Sequence, residues 1–141
     1  MAEYSSAAAQ TVAQSQNVLF TETEIPCNRG FVLHREGSGL FTLRSARNTC
    51  FARYVVTFGA NIAVPVGGTA DEISLAIAIN GEPLASSTMI TTPAAVGDFD
   101  NVGRSITVTV PTGCCLTVSV RNTSTQAITV QNANINITRV A

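Results

Sequence analysis

From residue 18 onward, hydrophobic and polar side chains alternate with a period of two, the spacing of strands that bury one face. Across 50–64, Ala52, Tyr54, Val56, Phe58 and Ala60 share a face. Across 72–80, Ile73, Leu75, Ile77 and Ile79 share one face, while Ser74, Ala76 and Ala78 share the other. Those small side chains predict close packing against another layer or subunit. The segment 105–110 turns Ile106, Val108 and Val110 inward and Thr107 and Thr109 outward. A Pro111-Thr112-Gly113 turn leads to a second alternating run in which Leu116, Val118 and Val120 face inward. Shorter runs at 17–22, 30–34 and 39–44 also read as strands. Asn80-Gly81 supplies the positive-φ pair of a two-residue hairpin turn, leading into 82–92. The last run changes phase: Ile128 and Val130 have one parity, Ile135 and Ile137 the other, so a bulge is expected near 131–133. No window carries an amphipathic helix. Eight to ten short strands with turn signals between them indicate an all-β sandwich or barrel.

Residues 1–17 break this pattern. They are mostly Ala, Ser, Gln and Thr, with little to bury. They read as an N-terminal arm, extended or weakly helical, ahead of a domain spanning 18–141. A polar arm of this kind is ordered only where something holds it.

Composition narrows the function classes. Apolar residues make up 45% of the 141 and charged residues only 12%, with a net charge of −1. The charged share is about half that of ordinary soluble domains. The surface must therefore be covered by uncharged polar side chains or hidden in an assembly. A nucleic-acid footprint and a polybasic membrane patch are both excluded. All eight cations are arginine, which removes lysine chemistry and suits interface ion pairs. No apolar run approaches the length of about 20 residues that a membrane-spanning helix requires. The first residues lack a secretory signal's basic and apolar regions, so synthesis in a cytosol is expected.

Candidate chemistry is sparse, and no catalytic residue, cofactor site or metal site is assigned. A cysteine or serine nucleophile needs a base in reach, yet His34 is the only histidine. It reads as a solvent-facing or turn-capping residue. Asp98, Asp100 and Asn101 offer oxygens to a hard cation. A calcium loop needs about six to eight of them and usually a later bidentate Glu, which this stretch lacks. Asn122-Thr123-Ser124 and Asn136-Ile137-Thr138 match the glycosylation sequon and read as polar strand-end residues. The cysteines at 27, 50, 114 and 115 have neither zinc nor redox spacing. Neighbours in a strand point to opposite faces. Cys114 therefore shares the side of Leu116, and Cys115 that of Thr117, so the two should find different partners. Two disulfides that include Cys27 and Cys50, within or between subunits, are one outcome. Buried thiols acting as small apolar residues are the other.

The run 73–89, "ISLAIAINGEPLASSTM", is followed by a Thr/Val strand, the Pro-Thr-Gly turn, "LTVSVRNTSTQAITV" and a terminal "NINITRV". Over roughly residues 17 to 141 the chain resembles the jelly-roll head domains of bacterial collagen-like proteins. These include the spore-surface (exosporium-type) proteins of Bacillus and their clostridial relatives, which share the C1q/TNF-like fold. The resemblance implies an antiparallel jelly-roll β-sandwich of about ten strands that forms homotrimers. It also implies roles in surface layers, adhesion and fibres, at a cell or spore surface. A Gly-X-Y stalk is not seen ahead of the head, and the polar arm stands in its place, which favours filament assembly through the arm. In that topology 51–60 runs antiparallel to 105–110, so Cys50 lies near the Pro-Thr-Gly turn and pairs with Cys114 or Cys115. Cys27 then becomes the candidate for an intersubunit link. A trimer also raises a metal site of three His34 copies on its axis, a reading that a lone histidine supports poorly. The leading expectation is a non-enzymatic, self-associating structural protein. The alternative is a receptor- or glycan-binding head, such as an adhesin or phage-tail tip, whose partner is a surface glycan or receptor.

Overall fold

Two antiparallel sheets stack face to face, and the alternating residues of the sequence meet between them. The computed structural model describes residues 1–27, 31–45, 51–113 and 115–140; Gly30, Cys50 and Cys114 lie outside these. Among the described residues, one six-stranded sheet runs β10 (Asp100–Pro111), β6 (Phe51–Ala63), β12 (Ile128–Arg139), β1 (Ala2–Ser6) and β3 (Glu22–Ile25), with β2 (Gln10–Val12) also on β12. The other runs β4 (Val32–His34), β5 (Phe41–Arg44), β11 (Cys115–Asn122), β7 (Ile73–Ile79) and β8 (Glu82–Pro83), with β9 (Met89–Thr91) also on β7. This is a jelly-roll sandwich of twelve described strands rather than about ten.

Alternation makes the core. Ala52, Tyr54, Val56, Phe58, Ala60 and Ile62 of β6 are all buried, as are Ile73, Leu75 and Ile77 of β7. Phe20 touches Phe41 at 5.2 Å and Phe58 at 6.2 Å between ring centroids, both edge-on, the geometry that aromatic quadrupoles favour. Each such ring, fully buried, contributes roughly 1.5–3 kcal/mol by area alone. The expected pairing of 51–60 with 105–110 is present: Phe51 lies opposite Pro111 and Val56 opposite Ile106. The expected reset in the last strand is present too. The β12–β6 register shifts between Gln131 and Asn134, with Asn132 at φ +56°. Both halves of β12 thereby keep their apolar residues inward. At the β7–β8 hairpin, Asn80 and Gly81 have φ of +52° and +85°.

Three expectations are revised. Residues 2–12 form strands rather than a separate arm: β1 lies between β12 and β3 in the sheet. Ala2 and Tyr4 are buried, and the Tyr4 ring packs 4.9 Å from Phe41. Segment 82–92 is two short strands around a 3-10 turn at Ala85–Ser87, not one run. Pro83 lacks a ladder donor, and the buried Ser87 hydroxyl accepts from Ile77 N–H, taking the place of a strand partner. Finally, 17–22 is not one strand: Asn17 forms a bridge to Arg121, Val18 N–H donates to Val120 O and Phe20 N–H to Ser38 O, and Glu22 opens β3. The end of β2 just before it is anchored by Asn122, only 1% exposed. The Asn122 amide donates to the carbonyls of Val12, Ala13 and Gln126, and its Oδ1 accepts from Ser124 N–H.

The registers define two ends of the sandwich. One gathers Phe51, Pro111, Arg44, Cys115 and Arg139. The opposite end gathers the loops after β6, before β10 and after β11, tied by Gly97 N–H to Val64 O and by Gln126 to Thr69.

Candidate interaction face

The strands that bury their apolar residues turn a different set outward. On the β10–β6–β12–β1 sheet, the registers arrange these in rows: Asn101–Asn61–Gln131, Gly103–Gly59–Asn134–Ser5, Ser105–Thr57–Asn136–Glu3 and Thr107–Val55–Thr138. Within these rows Glu3 is the single charged residue. The side chains bond sideways along the sheet. Thr57 Oγ1 meets Ser105 Oγ at 3.0 Å, Asn101 donates to Asn61 Oδ1 at 3.1 Å, and Asn134 donates to Glu3 Oε1 at 2.7 Å. Groups paired with one another in this way lose less on leaving water.

On this face Gly59 lies opposite Gly103 of the edge strand β10, leaving a strip without side chains. Glycine weakens a strand interior, so its presence needs a reason. At Gly59 the chain itself supplies none. Its φ is not positive, and an added Cβ would meet Val102 O at an ordinary 3.8 Å. At Gly103 a Cβ would be tighter, 3.2 Å from Phe58 O. The strip suits close approach by another surface. It was legible as two outward glycines in strongly alternating strands, but their juxtaposition needed the register.

The small-residue face of β7, Ser74, Ala76 and Ala78, expected to pack closely against another layer or subunit, is buried within the chain itself. Arg121 lies opposite Ala76 and its Nη1 reaches Gly81 O at 2.8 Å, so its stem spans the stretch from Ala76 to the hairpin tip. The small residues leave room for that stem.

The cysteines are only partly placed. Cys115 is exposed, opposite Arg44, on the outward side expected from parity. Cys27 is half-buried against the core, at a cavity of about 240 Å³ shared with Phe31, Val32, Tyr54, Ile137 and Arg139. Cys50 and Cys114 lie outside the described residues. Arg139 stacks on Phe31 at 4.4 Å and Arg53 on Phe51 at 4.5 Å. Burial pushes the Tyr54 phenol above its ordinary pKa, with Arg139 pulling the other way and Cys27 adding to the rise. Burial and Cys27 likewise raise Tyr4.

His34 is stacked on Phe41, ring centroids 4.2 Å apart. Its Nδ1 is 3.0 Å from Leu40 O and its Nε2 3.1 Å from Phe20 O. Both nitrogens are engaged inside the chain, which leaves neither turned outward as a metal ligand. Asp100 accepts from Thr91 Oγ1 at 2.8 Å, and Asp98 is exposed in its loop. Asn136 donates to Asn134, and Asn122 is consumed by its internal bonds, so both sequon asparagines serve the sheet.

No family model and no curated protein matches this chain. Among solved structures, the globular domain of zebrafish complement 1qA protein superposes with a TM-score of 0.63 at 14% identity, covering 96% of this chain and 94% of that one. The chain has a C1q-like jelly-roll fold. At that identity the likeness is one of architecture. An Arthrobacter globiformis T6 isomalto-dextranase complexed with panose also aligns, at 12% identity and a TM-score of 0.35, over 94% of this chain and 22% of that chain. That alignment is too loose to inform function.

Proposed function

We propose that this chain is a structural, self-associating protein, a homotrimeric jelly-roll subunit of an extracellular fibre or surface layer on a cell or spore. The observation that carries the reading is the flat Gly59–Gly103 strip within a nearly uncharged sheet face. Three copies meeting through that face around an axis along the strands would cover it. The sparse charge, 12% of residues, supports the same reading, because burying such a face leaves few ions to desolvate. Cysteine pairing, within or between subunits, is proposed as a further fastening. Residues 2–12 belong to the sheet, so the linking role is assigned to faces and cysteines rather than to an arm.

The second reading, a receptor- or glycan-binding head, has one loop aromatic in its favour, Phe99, 46% exposed. Light scattering after size exclusion tests the first: the trimer mass, or a whole multiple of it, is expected at micromolar concentration, and a stable monomer overturns it. Gly59→Arg should reduce the trimer to monomer without unfolding the chain.

A further inference from the structure

We infer that the two ends of the sandwich are complementary and that copies of this chain join end to end through them. The contact rests on the assembly reading above, for which it supplies the axial link. At the loop end, Val66 is 98% exposed at the tip of a Pro65–Gly68 turn, and Phe99 is 46% exposed nearby. An apolar side chain held out on a tight turn gains nothing from its own fold. Around these two stand Asp71, Glu72 and Asp98, all exposed. Arg121, the nearest arginine in register, is drawn away to Gly81 O.

The opposite end has the reverse character. Phe51 is 38% exposed, with the Arg53 guanidinium stacked on its ring at 4.5 Å. Arg44 is exposed close by, at the end of β5 opposite Cys115. A stacked guanidinium is held in one plane with its edge donors pointing outward, the geometry that receives a carboxylate. The nearest described carboxylate on that side, Glu82, sits further in, level with Val118. Each end is therefore an apolar centre rimmed by one sign of charge, and the signs are opposite. A contact between unlike ends of identical chains does not close on itself and propagates as a filament. At one edge β10 ends its sheet, and Arg104, which shares the inward parity of Val102, is exposed there. A charge on an edge strand opposes pairing.

Charge reversal tests this. Arg44→Glu, on the other sheet, turns the Phe51 end acidic without touching the β6 face; Glu72→Arg with Asp98→Arg makes both ends basic. Wild type should grow in light scattering by multiples of the trimer mass, and less so as salt rises. Each reversed variant alone should melt like wild type, remain trimeric, and associate end to end roughly a hundredfold more weakly, since like charges then face each other. An equimolar mixture of the two should regain long assemblies. Val66→Ser should weaken stacking without touching charge. The inference is overturned if wild type never exceeds the trimer mass, if either reversed variant assembles like wild type, or if mixing restores nothing. Monomers that nevertheless stack, and are rescued by mixing, would uphold the end contact and refute the trimer.

Discussion

Gly59 of β6 and Gly103 of the edge strand β10 are direct register partners on a face covered mainly by Asn, Ser, Thr and Gln. The space above Gly59 is open within the chain: a Cβ placed there would lie 3.8 Å from Val102 O. Gly59→Ala should therefore stabilise the isolated chain by about 0.5–1 kcal/mol, the usual gain for a strand interior. The same change should weaken the trimer. Urea unfolding of dilute monomer, set beside light scattering of concentrated protein, reads these opposite signs.

Asn122 joins the N-terminal segment to the end of β11. Its buried amide serves the carbonyls of Val12, Ala13 and Gln126. Asn122→Ala leaves these acceptors without that donor and should cost about 3 kcal/mol. A urea midpoint shift with an unchanged slope is the expected signature. A loss below about 1 kcal/mol, the size of an ordinary surface change, would mean water replaces the amide freely.

The tyrosines set an alkaline limit. Burial raises the phenols of Tyr4 and Tyr54 above their ordinary pKa of 10.0. A folded-state pKa above the unfolded one means that the stability is fully present below about pH 10 and is lost as pH rises through the folded values. Urea midpoints should fall above about pH 10, and Tyr4→Phe should flatten part of that fall.

Cysteine connectivity is the most direct chemical check on assembly. Cys115 opens a strand with its side chain outward, and neighbouring strand residues face opposite ways. Non-reducing peptide mapping should find no Cys114–Cys115 bond, and should find Cys27 and Cys50 among the bonded partners. A bond between the adjacent pair, or four thiols in the mature assembly, would contradict this.

Strands β6, β7, β10, β11 and β12 were legible because each repeats a strong apolar–polar alternation, and the phase change in β12 exposed its bulge in advance. β1 was not, because its inward positions are Ala2, Tyr4 and Ser6, two of them small. Such a strand is fixed by its partners, Ile137 and Ile135 across from Ala2 and Tyr4, and these lie more than a hundred residues away. What covers the small face of β7 was hidden for the same reason. Ala76 and Ala78 are small because Arg121 of the neighbouring strand spans that stretch, and no local pattern reports a covering side chain. The Gly59–Gly103 strip depends on register in the same way.

The central claim is that the sparsely charged β10–β6–β12–β1 face joins three copies of this chain. Light scattering coupled to size exclusion, on wild type and Gly59→Arg side by side at micromolar concentration, tests it most directly. In salt high enough to suppress end-to-end contacts, the account predicts a trimer for wild type and a folded monomer for the variant. A monomeric wild type, or a variant that remains trimeric, would contradict it.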